Sequence, residues 1–167
     1  MAAAQKLSGG IDAFIDLVGR TTAWLALGLA LVMGANVLLR YGFSIGSIWM
    51  QEFEWHIFVP ICVFGMSYAL RHGEHVRVDV LFQYFSPHNK LLMEVVTAIC
   101  GMLLSVIVIW LCIPYVWQSW SIGEGTANPG GIDYRYIVKA LIPIGFALFF
   151  LQSLSEAIKN YLAFRSA

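Results

Sequence analysis

Apolar positions fall into four long runs along the chain, and the charged positions are concentrated between these runs. The nineteen uncharged residues between Arg20 and Arg40 have about the length that a hydrocarbon core of roughly 30 Å requires at about 1.5 Å per helical residue. The same pattern predicts further spans, so that the four occupy residues 21–39, 52–70, 91–117 and 137–158. The sequence therefore predicts an all-α integral membrane protein with residues 1–167 in a single membrane domain.

Charge returns abruptly after the second run. Two arginines, two acids and two histidines lie between Arg71 and Asp79, where a membrane helix reaches water. Apolar residues then follow at an i, i+3, i+4, i+7 spacing, namely Val78, Leu81, Phe82 and Phe85. This spacing predicts a short interfacial amphipathic helix over about 79–85, between spans two and three. Ser86 and Pro87 predict the start of the third helix.

The segment before the first span is also amphipathic. Its apolar face comprises Leu7, Ile11, Phe14, Ile15 and Val18. Asp12, Asp16 and Arg20 lie away from that face, which predicts either an amphipathic lead-in or a solvated extension of span one. The segment has no short apolar core followed by a small-residue cleavage site, so we expect no cleaved signal peptide.

Composition agrees with membrane insertion. Hydrophobic residues make up 59% of the chain and charged residues 12%, with a mean hydropathy of +0.74, which is outside the range of soluble domains. Ten basic and ten acidic residues cancel, so no overall field would attract nucleic acid. We therefore expect the lipid bilayer, and no nucleic acid, among the partners.

The distribution of Lys and Arg predicts the orientation. With four spans, both termini share one side of the membrane. On that side we count seven basic residues, Lys6, Arg20, Arg71, Arg77, Lys90, Lys159 and Arg165, against three on the other, Arg40, Arg135 and Lys139. The positive-inside rule then predicts that both termini are cytoplasmic.

Polar residues at the span boundaries are candidate contact residues. Trp49 and Glu52 open the second span, and a carboxylate close to lipid is expensive, so Glu52 and Glu54 must lie at the boundary or pair with protein. Asn36 lies inside span one near its end, so we expect it to have a hydrogen-bonding neighbour or to reach the interface. Two rows of small residues favour close helix approach, although alanines are also common in such helices: Ala26, Ala30 and Gly34, and Gly101 with Ser105.

Cofactor chemistry has little support in this sequence. Three cysteines lie in apolar runs without a CxxC pair and are expected to be small buried hydrophobes: Cys62, Cys100 and Cys112. Haem held between spans usually needs two histidines at membrane depth, but only His56 lies in a span. His72, His75 and His88 lie in the following loop, without a third metal ligand. We expect no cofactor, no metal site and no enzymatic activity.

The chain also lacks the features of a self-sufficient transporter. Such proteins normally have interrupted helices in two repeated halves and a buried ionisable residue near mid-membrane. Neither is evident here, so the sequence indicates an accessory or scaffold subunit.

Several motifs resemble a known family in the same order along the chain. They are Asn36 to Tyr41, then Trp49 and Glu52, then Gly65, Arg71, Gly73, His75, Val76, Val78 and Asp79, and finally Pro143 to Gly145. This arrangement resembles the small membrane subunit, of the DctQ type, of tripartite ATP-independent periplasmic (TRAP) transporters. His72 between Arg71 and Gly73, and the length of the glycine-rich third loop, depart from the family pattern.

The resemblance implies a bacterial inner-membrane complex. In it a periplasmic substrate-binding protein delivers an organic acid to a large multi-span permease subunit, which moves it by a sodium-coupled elevator motion. The small subunit is a non-catalytic scaffold without substrate or sodium sites. Its implied partner contacts are Asn36, Arg40, Trp49, Glu52, Arg71, His75 and Asp79. Arg40 is expected to pair with Glu52, and Arg71 with His75 and Asp79 to fix the turn after span two.

Two other classes stay open on the sequence alone. One is the membrane-anchor subunit of a respiratory oxidoreductase, which a haem absorption band would reveal. The other is a stand-alone structural or homo-oligomeric membrane protein, which would not co-purify with a large multi-span partner.

Overall fold

A computed structural model describes residues 2–74 and 85–166 of the chain. These residues form four helices, which we call α1 (Ala2–Gly42), α2 (Ile48–His72), α3 (Pro87–Ser121) and α4 (Arg135–Ser166). All four are long and apolar enough to cross a membrane, and the described ranges contain no strand. The predicted all-α fold with four membrane helices is confirmed. His75, Asp79 and residues 79–84 of the predicted interfacial helix lie outside the described residues.

The ends of two helices follow from local sequence signals. The side chain of Ser47 accepts a hydrogen bond from the backbone N–H of Met50 and caps the start of α2. Ser86 caps α3 in the same way through the N–H of Asn89, as predicted. Helix α2 ends at Gly73, whose φ of 72° is the left-handed conformation that favours glycine.

Helix α4 is the central element of the bundle. It packs along α3 and also contacts α1 and α2, which pack against each other. Helix α3 is joined to the bundle through α4, and over the described residues α2 and α3 form no packed interface. Among the described residues, α4 therefore forms the floor of the gap between α2 and α3.

Small residues allow the closest helix approaches. A Cβ at Gly145 would lie 2.5 Å from the Cβ of Val63, so α4 and α2 nearly touch there. A Cβ at Gly101 would lie 2.8 Å from Oγ of Ser153, and Ser105 is fully buried, so this predicted row of small residues packs α3 against α4. The other row does not pack within the chain, because its members are exposed: Ala26, Ala30 and Gly34.

The N-terminal segment is one continuous helix with span one, and the side that it packs against the bundle carries both apolar and acidic residues. Leu7 and Phe14 of the predicted apolar face are largely exposed, whereas Ile15 is buried. Asp12 and Asp16 point toward α2 and α4 and form ion pairs with them. The segment is thus an extension of span one, as one of the two predicted alternatives had it, and cations on α2 and α4 compensate its acids inside the bundle.

The expectation of buried cysteines is also wrong. Cys62 and Cys100 are exposed on the surface of the helix bundle, and Cys112 is half-buried. An apolar side chain in a membrane helix can face lipid as readily as another helix, because lipid tails are as apolar as the core. An apolar run therefore predicts membrane depth but not burial.

Candidate partner-contact site

The carboxylate of Glu52 organises the loop between α3 and α4. Glu52 is only 4% exposed, near the start of α2. It accepts hydrogen bonds from Oγ1 of Thr126 at 2.5 Å, Nδ2 of Asn128 at 3.1 Å and the backbone N–H of Ile132 at 2.7 Å. The sequence predicted that this acid lies at the boundary or pairs with protein, and the structure shows the protein partners. We call these four residues the loop-side cluster.

The glycine content of the loop has a steric reason at this cluster. A Cβ at Gly131 would lie 2.5 Å from Oε2 of Glu52 and 2.6 Å from Cγ2 of Thr126. Only a residue without a side chain lets the loop backbone close over the carboxylate. The loop thus supplies the donors that a buried charge requires.

Asn36 and Glu54 connect α1 to α2 at the same end. Nδ2 of the buried Asn36 donates a hydrogen bond to Oε1 of Glu54 at 2.8 Å. The predicted hydrogen-bonding neighbour of Asn36 is confirmed. The interaction satisfies an amide that would otherwise be costly at membrane depth.

Arg40 and Trp49 lie on the surface rather than in the helix contacts. The expected pair of Arg40 with Glu52 is wrong: these two described residues form no ion pair, since donors from the loop occupy the carboxylate. Arg40 is exposed in the last turn of α1. Trp49 is half exposed and stacks on Phe53, with ring centroids 5.1 Å apart. Both are placed where another protein can reach them.

Lys139 ties the loop to α4. Its ammonium forms an ion pair with Glu124 and lies 4.2 Å above the ring of Tyr115 on α3. The hydrogen bond from Lys139 lowers the pKa of Glu124 below its usual range. The carboxylate is therefore ionised at neutral pH, and both ends of the loop are fastened to helices.

A second cluster fastens the helices at the opposite end. The Arg71 guanidinium lies between two carboxylates of α1, 2.5 Å from Asp16 and 3.3 Å from Asp12. Nε2 of the neighbouring His72 lies 3.2 Å from Asp16. Arg71 thus joins the end of α2 to α1. Its expected contacts, His75 and Asp79, lie outside the described residues.

Side chains of α4 also contact Asp12 of α1 in this second cluster. Nζ of Lys159 lies 3.1 Å from Asp12 and 2.6 Å from Glu156. Oγ of Ser155 donates to Asp12 at 2.7 Å, and Nε2 of Gln152 donates to it at 3.2 Å. We call Asp12, Asp16, Arg71 and Lys159 the termini-side cluster.

Sequence reasoning missed most of the termini-side cluster. The available signals were two acids at i, i+4 in α1 and the Glu156 and Lys159 pair at i, i+3 in α4. Such spacing also occurs on solvated helix faces, so it did not show that the groups face inward. The chemical role of these residues is to hold helices together. Among the described residues, no group of three or more His, Cys, Asp or Glu side chains has a metal-binding arrangement.

The fold and its two clusters define a small helical membrane protein whose polar side chains tie its own helices together. The family model described as tripartite ATP-independent periplasmic transporters, DctQ component, matches residues 29–162. The match covers well over half of the chain, so the protein belongs to the DctQ family of small TRAP permease subunits. Members of this family are transporter components and not enzymes.

Two relatives agree with this assignment. The chain is 25% identical over 139 residues to the ectoine TRAP transporter small permease protein TeaB of Halomonas elongata, covering 81% of this chain and 71% of TeaB. It is 28% identical over 69 residues to a putative TRAP transporter small permease protein of Haemophilus influenzae, covering 41% of this chain and 43% of the relative. Neither comparison supports the alternative of a respiratory membrane anchor.

Proposed function

We propose that this chain is the non-catalytic scaffold subunit of a sodium-coupled TRAP transporter. It supports a large elevator-type permease subunit in the uptake of an organic acid, which a periplasmic binding protein delivers. The observation that carries the proposal is the position of the polar contacts, which join helix to helix at both ends of the bundle. A subunit built in this way is suited to staying fixed while a neighbour moves.

Polar contacts constrain the helices at both ends of the bundle. At one end, Glu52 holds α2 to the loop that precedes α4, and Asn36 holds α1 to Glu54 of α2. At the other end, Arg71 joins α2 to Asp12 and Asp16 of α1, and Lys159 joins α4 to Asp12. Helices fastened at both ends resist sliding and tilting relative to one another. This rigidity supports a scaffold role.

The outward surface supports assembly with a larger membrane protein. Large apolar side chains on α1 and α3 are exposed, among them Trp24, Leu31 and Trp110. Such a surface suits lipid tails and the apolar helices of a multi-span subunit. The exposed Ala26, Ala30 and Gly34 row would permit close helix approach there.

The proposed orientation follows from the positive-inside rule. The four candidate spans and the TRAP relatives support a multi-pass inner-membrane protein. With both termini in the cytoplasm, the loop-side cluster faces the periplasm. The loop is then on the side where the periplasmic binding protein approaches.

The candidate contact residues divide into two proposed roles. Arg40 and Trp49 are accessible and would touch the large subunit or the binding protein directly. Asn36, Glu52 and Arg71 would act indirectly, by holding the surface in shape. Partner contacts for His75 and Asp79 stay predictions from the family resemblance.

The proposal is tested by co-expressing the chain with its neighbouring genes, solubilising it mildly and identifying what co-purifies by mass analysis. Sodium-driven uptake is then measured in proteoliposomes with a panel of carboxylates, which includes ectoine because the relative from H. elongata is named for it. We expect a stable pair with a large multi-span protein, and uptake that depends on both subunits.

Surface variants separate contact from folding. The double variant Arg40→Ala/Trp49→Ala should weaken the pair and uptake without lowering the thermal stability of the isolated chain. Arg165→Ala, exposed in the last turn of α4, is the matched control. A chain that purifies alone with a haem absorption band, and uptake that does not require it, would overturn the scaffold proposal.

A further inference from the structure

Three of the four helices contain an internal proline, and the three prolines lie at nearly the same depth in the bundle. They are Pro60 in α2, Pro114 in α3 and Pro143 in α4, and we call their common depth the proline level. We propose that the loop-side end of the bundle tilts as one body about the proline level, relative to the termini-side end. This inference goes beyond the proposed function and does not depend on it.

The alignment of α2 with α4 follows from their closest contact. A Cβ at Gly145 would lie 2.5 Å from the Cβ of Val63, so these two residues are at the same depth. The two helices run in the same direction, with Pro60 three residues before Val63 and Pro143 two residues before Gly145. The two prolines therefore differ in depth by about one residue, or roughly 1.5 Å.

Helix α3 runs antiparallel to α4 and brings its proline to the same depth. Nζ of Lys139 lies 4.2 Å from the ring centroid of Tyr115, the residue after Pro114, which aligns Pro114 with the residue after Lys139. The contact between Gly101 and Ser153 gives the same alignment. All three prolines thus fall within about one helical turn, or roughly 5 Å of depth.

Each proline weakens its helix at this level. Proline has no N–H to donate to the carbonyl oxygen four residues earlier, here those of His56, Trp110 and Lys139. Sharp bends in helices occur most often at such positions. The three missing hydrogen bonds lie side by side in the bundle, so a bend in one helix is matched by the possibility of a bend in the next.

Helix α1 has no proline but has glycines near the same level. Asn36 lies beside Glu54, and α1 is antiparallel to α2, so the level of Pro60 falls between Gly28 and Gly34. A Cβ at either glycine would meet no atom within 4 Å. Glycine inside a helix leaves the backbone freer than other residues do. This helix can therefore follow a bend of the other three.

The polar contacts between helices hold each end of the bundle together separately. On one side of the proline level are the loop-side cluster, the bond from Asn36 to Glu54, and Lys139, which reaches Glu124 of the loop. On the other side is the termini-side cluster. A bend at the proline level moves all four helices together and leaves both sets of contacts intact. It is therefore compatible with a scaffold role.

Space for the bend adjoins two of the prolines. A hollow of about 220 Å³ lies beside Pro114, and a second of about 430 Å³ is lined by Pro143 and by residues of α3. Ile113 lines both hollows. Close-packed protein interiors resist deformation, whereas lipid tails in a surface hollow can move aside. The close contact of Gly145 with Val63, just to the termini side of the prolines, is suited to act as the pivot.

Distances between pairs of spin labels test the inference. The full chain, in the assembly in which it purifies, is placed in nanodiscs and labelled at introduced cysteines in a background without the native ones. One pair crosses the proline level, Leu17 with Ile122, and two reference pairs stay on one side of it, Tyr41 with Ile122 and Leu17 with Tyr161; all four positions are exposed. We expect the crossing pair to give a distance distribution about twofold wider than either reference pair. Equal widths in the three pairs would mean that the prolines form a static bend, and the inference would be wrong.

Proline variants show whether the width comes from the proline level. Pro60→Ala/Pro114→Ala/Pro143→Ala restores the three N–H donors and should narrow the crossing distribution to the width of the reference pairs. Pro129→Ala, in the exposed loop, is the matched control and should leave the width unchanged. A width that persists in the triple variant would overturn the inference.

A further variant leaves all the prolines in place. Ile113→Trp fills space in both hollows and should narrow the crossing distribution. Ile107→Trp adds the same ring to an exposed position on α3 outside these linings and should not. Equal widths in these two variants would contradict the role of the hollows. A reference pair on the loop side as wide as the crossing pair would show that this end does not move as one body.

Discussion

Glu52 and Ile132 meet across eighty residues of chain, with the backbone N–H of Ile132 donating to the carboxylate at 2.7 Å. The contact fixes the loop before α4 to the first turns of α2. Because the carboxylate also accepts from Thr126 and Asn128, three donors converge on one charge. Removing the carboxylate should therefore leave these donors without their acceptor and loosen the loop.

Replacing Glu52 with Gln should loosen the loop while keeping its volume. An amide offers one acceptor oxygen, and its NH2 group would face a donor from which the carboxylate oxygen had accepted a hydrogen bond. We expect faster hydrogen exchange of the loop amides, most of all at Ile132. Glu74→Gln, at an exposed carboxylate, serves as the control. Unchanged exchange in Glu52→Gln would show that the loop is held by other contacts.

Replacing Gly145 with Ala should weaken the packing of α4 on α2. The new Cβ would lie 2.5 Å from Cβ of Val63 and 3.0 Å from its backbone oxygen, which cannot rotate away. Overpacking of this kind costs about 1–3 kcal/mol of the free energy of unfolding. The measurement is unfolding of the purified protein in mixed detergent.

The control for Gly145→Ala is Gly34→Ala. Gly34 also lies inside a helix, but a Cβ there meets no atom within 4 Å. This variant should be neutral or more stable by up to about 1 kcal/mol, because Ala is the better helix former. Equal destabilisation by the two variants would contradict the packing argument.

Removing the Arg71 guanidinium should destabilise the termini-side end of the bundle. Arg71→Ala leaves Asp12 and Asp16 together with less compensating charge, which we expect to cost about 1–3 kcal/mol for these partly buried groups. Arg71→Lys should recover only part of the loss, since an ammonium cannot bridge two carboxylates as a planar guanidinium does. Stability equal to wild type in Arg71→Ala would contradict this role of the guanidinium.

Acid should release the contact between Glu124 and Lys139. The pKa of Glu124 is lowered from its ordinary value of 4.5 by the Lys139 hydrogen bond. A lowered folded-state pKa means that the stabilisation is fully present above pH 4.5 and is lost as the pH falls through the lowered value. The wild-type unfolding temperature should therefore drop more steeply in acid than that of Glu124→Gln. Asp133→Asn, at an exposed acid of the same loop, should keep the wild-type slope.

The orientation is testable by cysteine labelling. In a background without Cys62, Cys100 and Cys112, we expect Ala127→Cys to react with a membrane-impermeant maleimide in spheroplasts. Lys6→Cys should react only after lysis, because the positive-inside rule places it in the cytoplasm. The reverse pattern would invert the proposed topology.

The number and approximate position of the helices could be predicted because bilayer thickness sets the length of an apolar run. The need of Asn36 and Glu52 for partners could also be predicted, since unpaired polar groups are costly near lipid. The identity of these partners could not be predicted from the sequence. Glu52 finds its donors more than seventy residues away, in a loop whose composition suggested only a turn.

The inward orientation of Asp12 was not predictable for a different reason. In a soluble protein the polar face of a helix usually faces water. In this membrane bundle Asp12 instead faces the other helices, because Arg71 and Lys159 lie there to pair with it. A single sequence shows the two faces of such a helix without showing which one the environment will select. The i, i+4 spacing of Asp12 and Asp16 is evident in the sequence, but the sequence does not show whether they face the other helices.

The join between the first and last helices also has a consequence for synthesis. Oγ of Ser155 donates to the backbone oxygen of Ser8, 147 residues earlier, and Lys159 compensates Asp12. Until most of α4 has been synthesised, Asp12 has Arg71 beside it but not yet Lys159. Insertion of the final helix therefore adds the second cation beside Asp12, and the charge balance of the first helix is completed only when nearly the whole chain has been made.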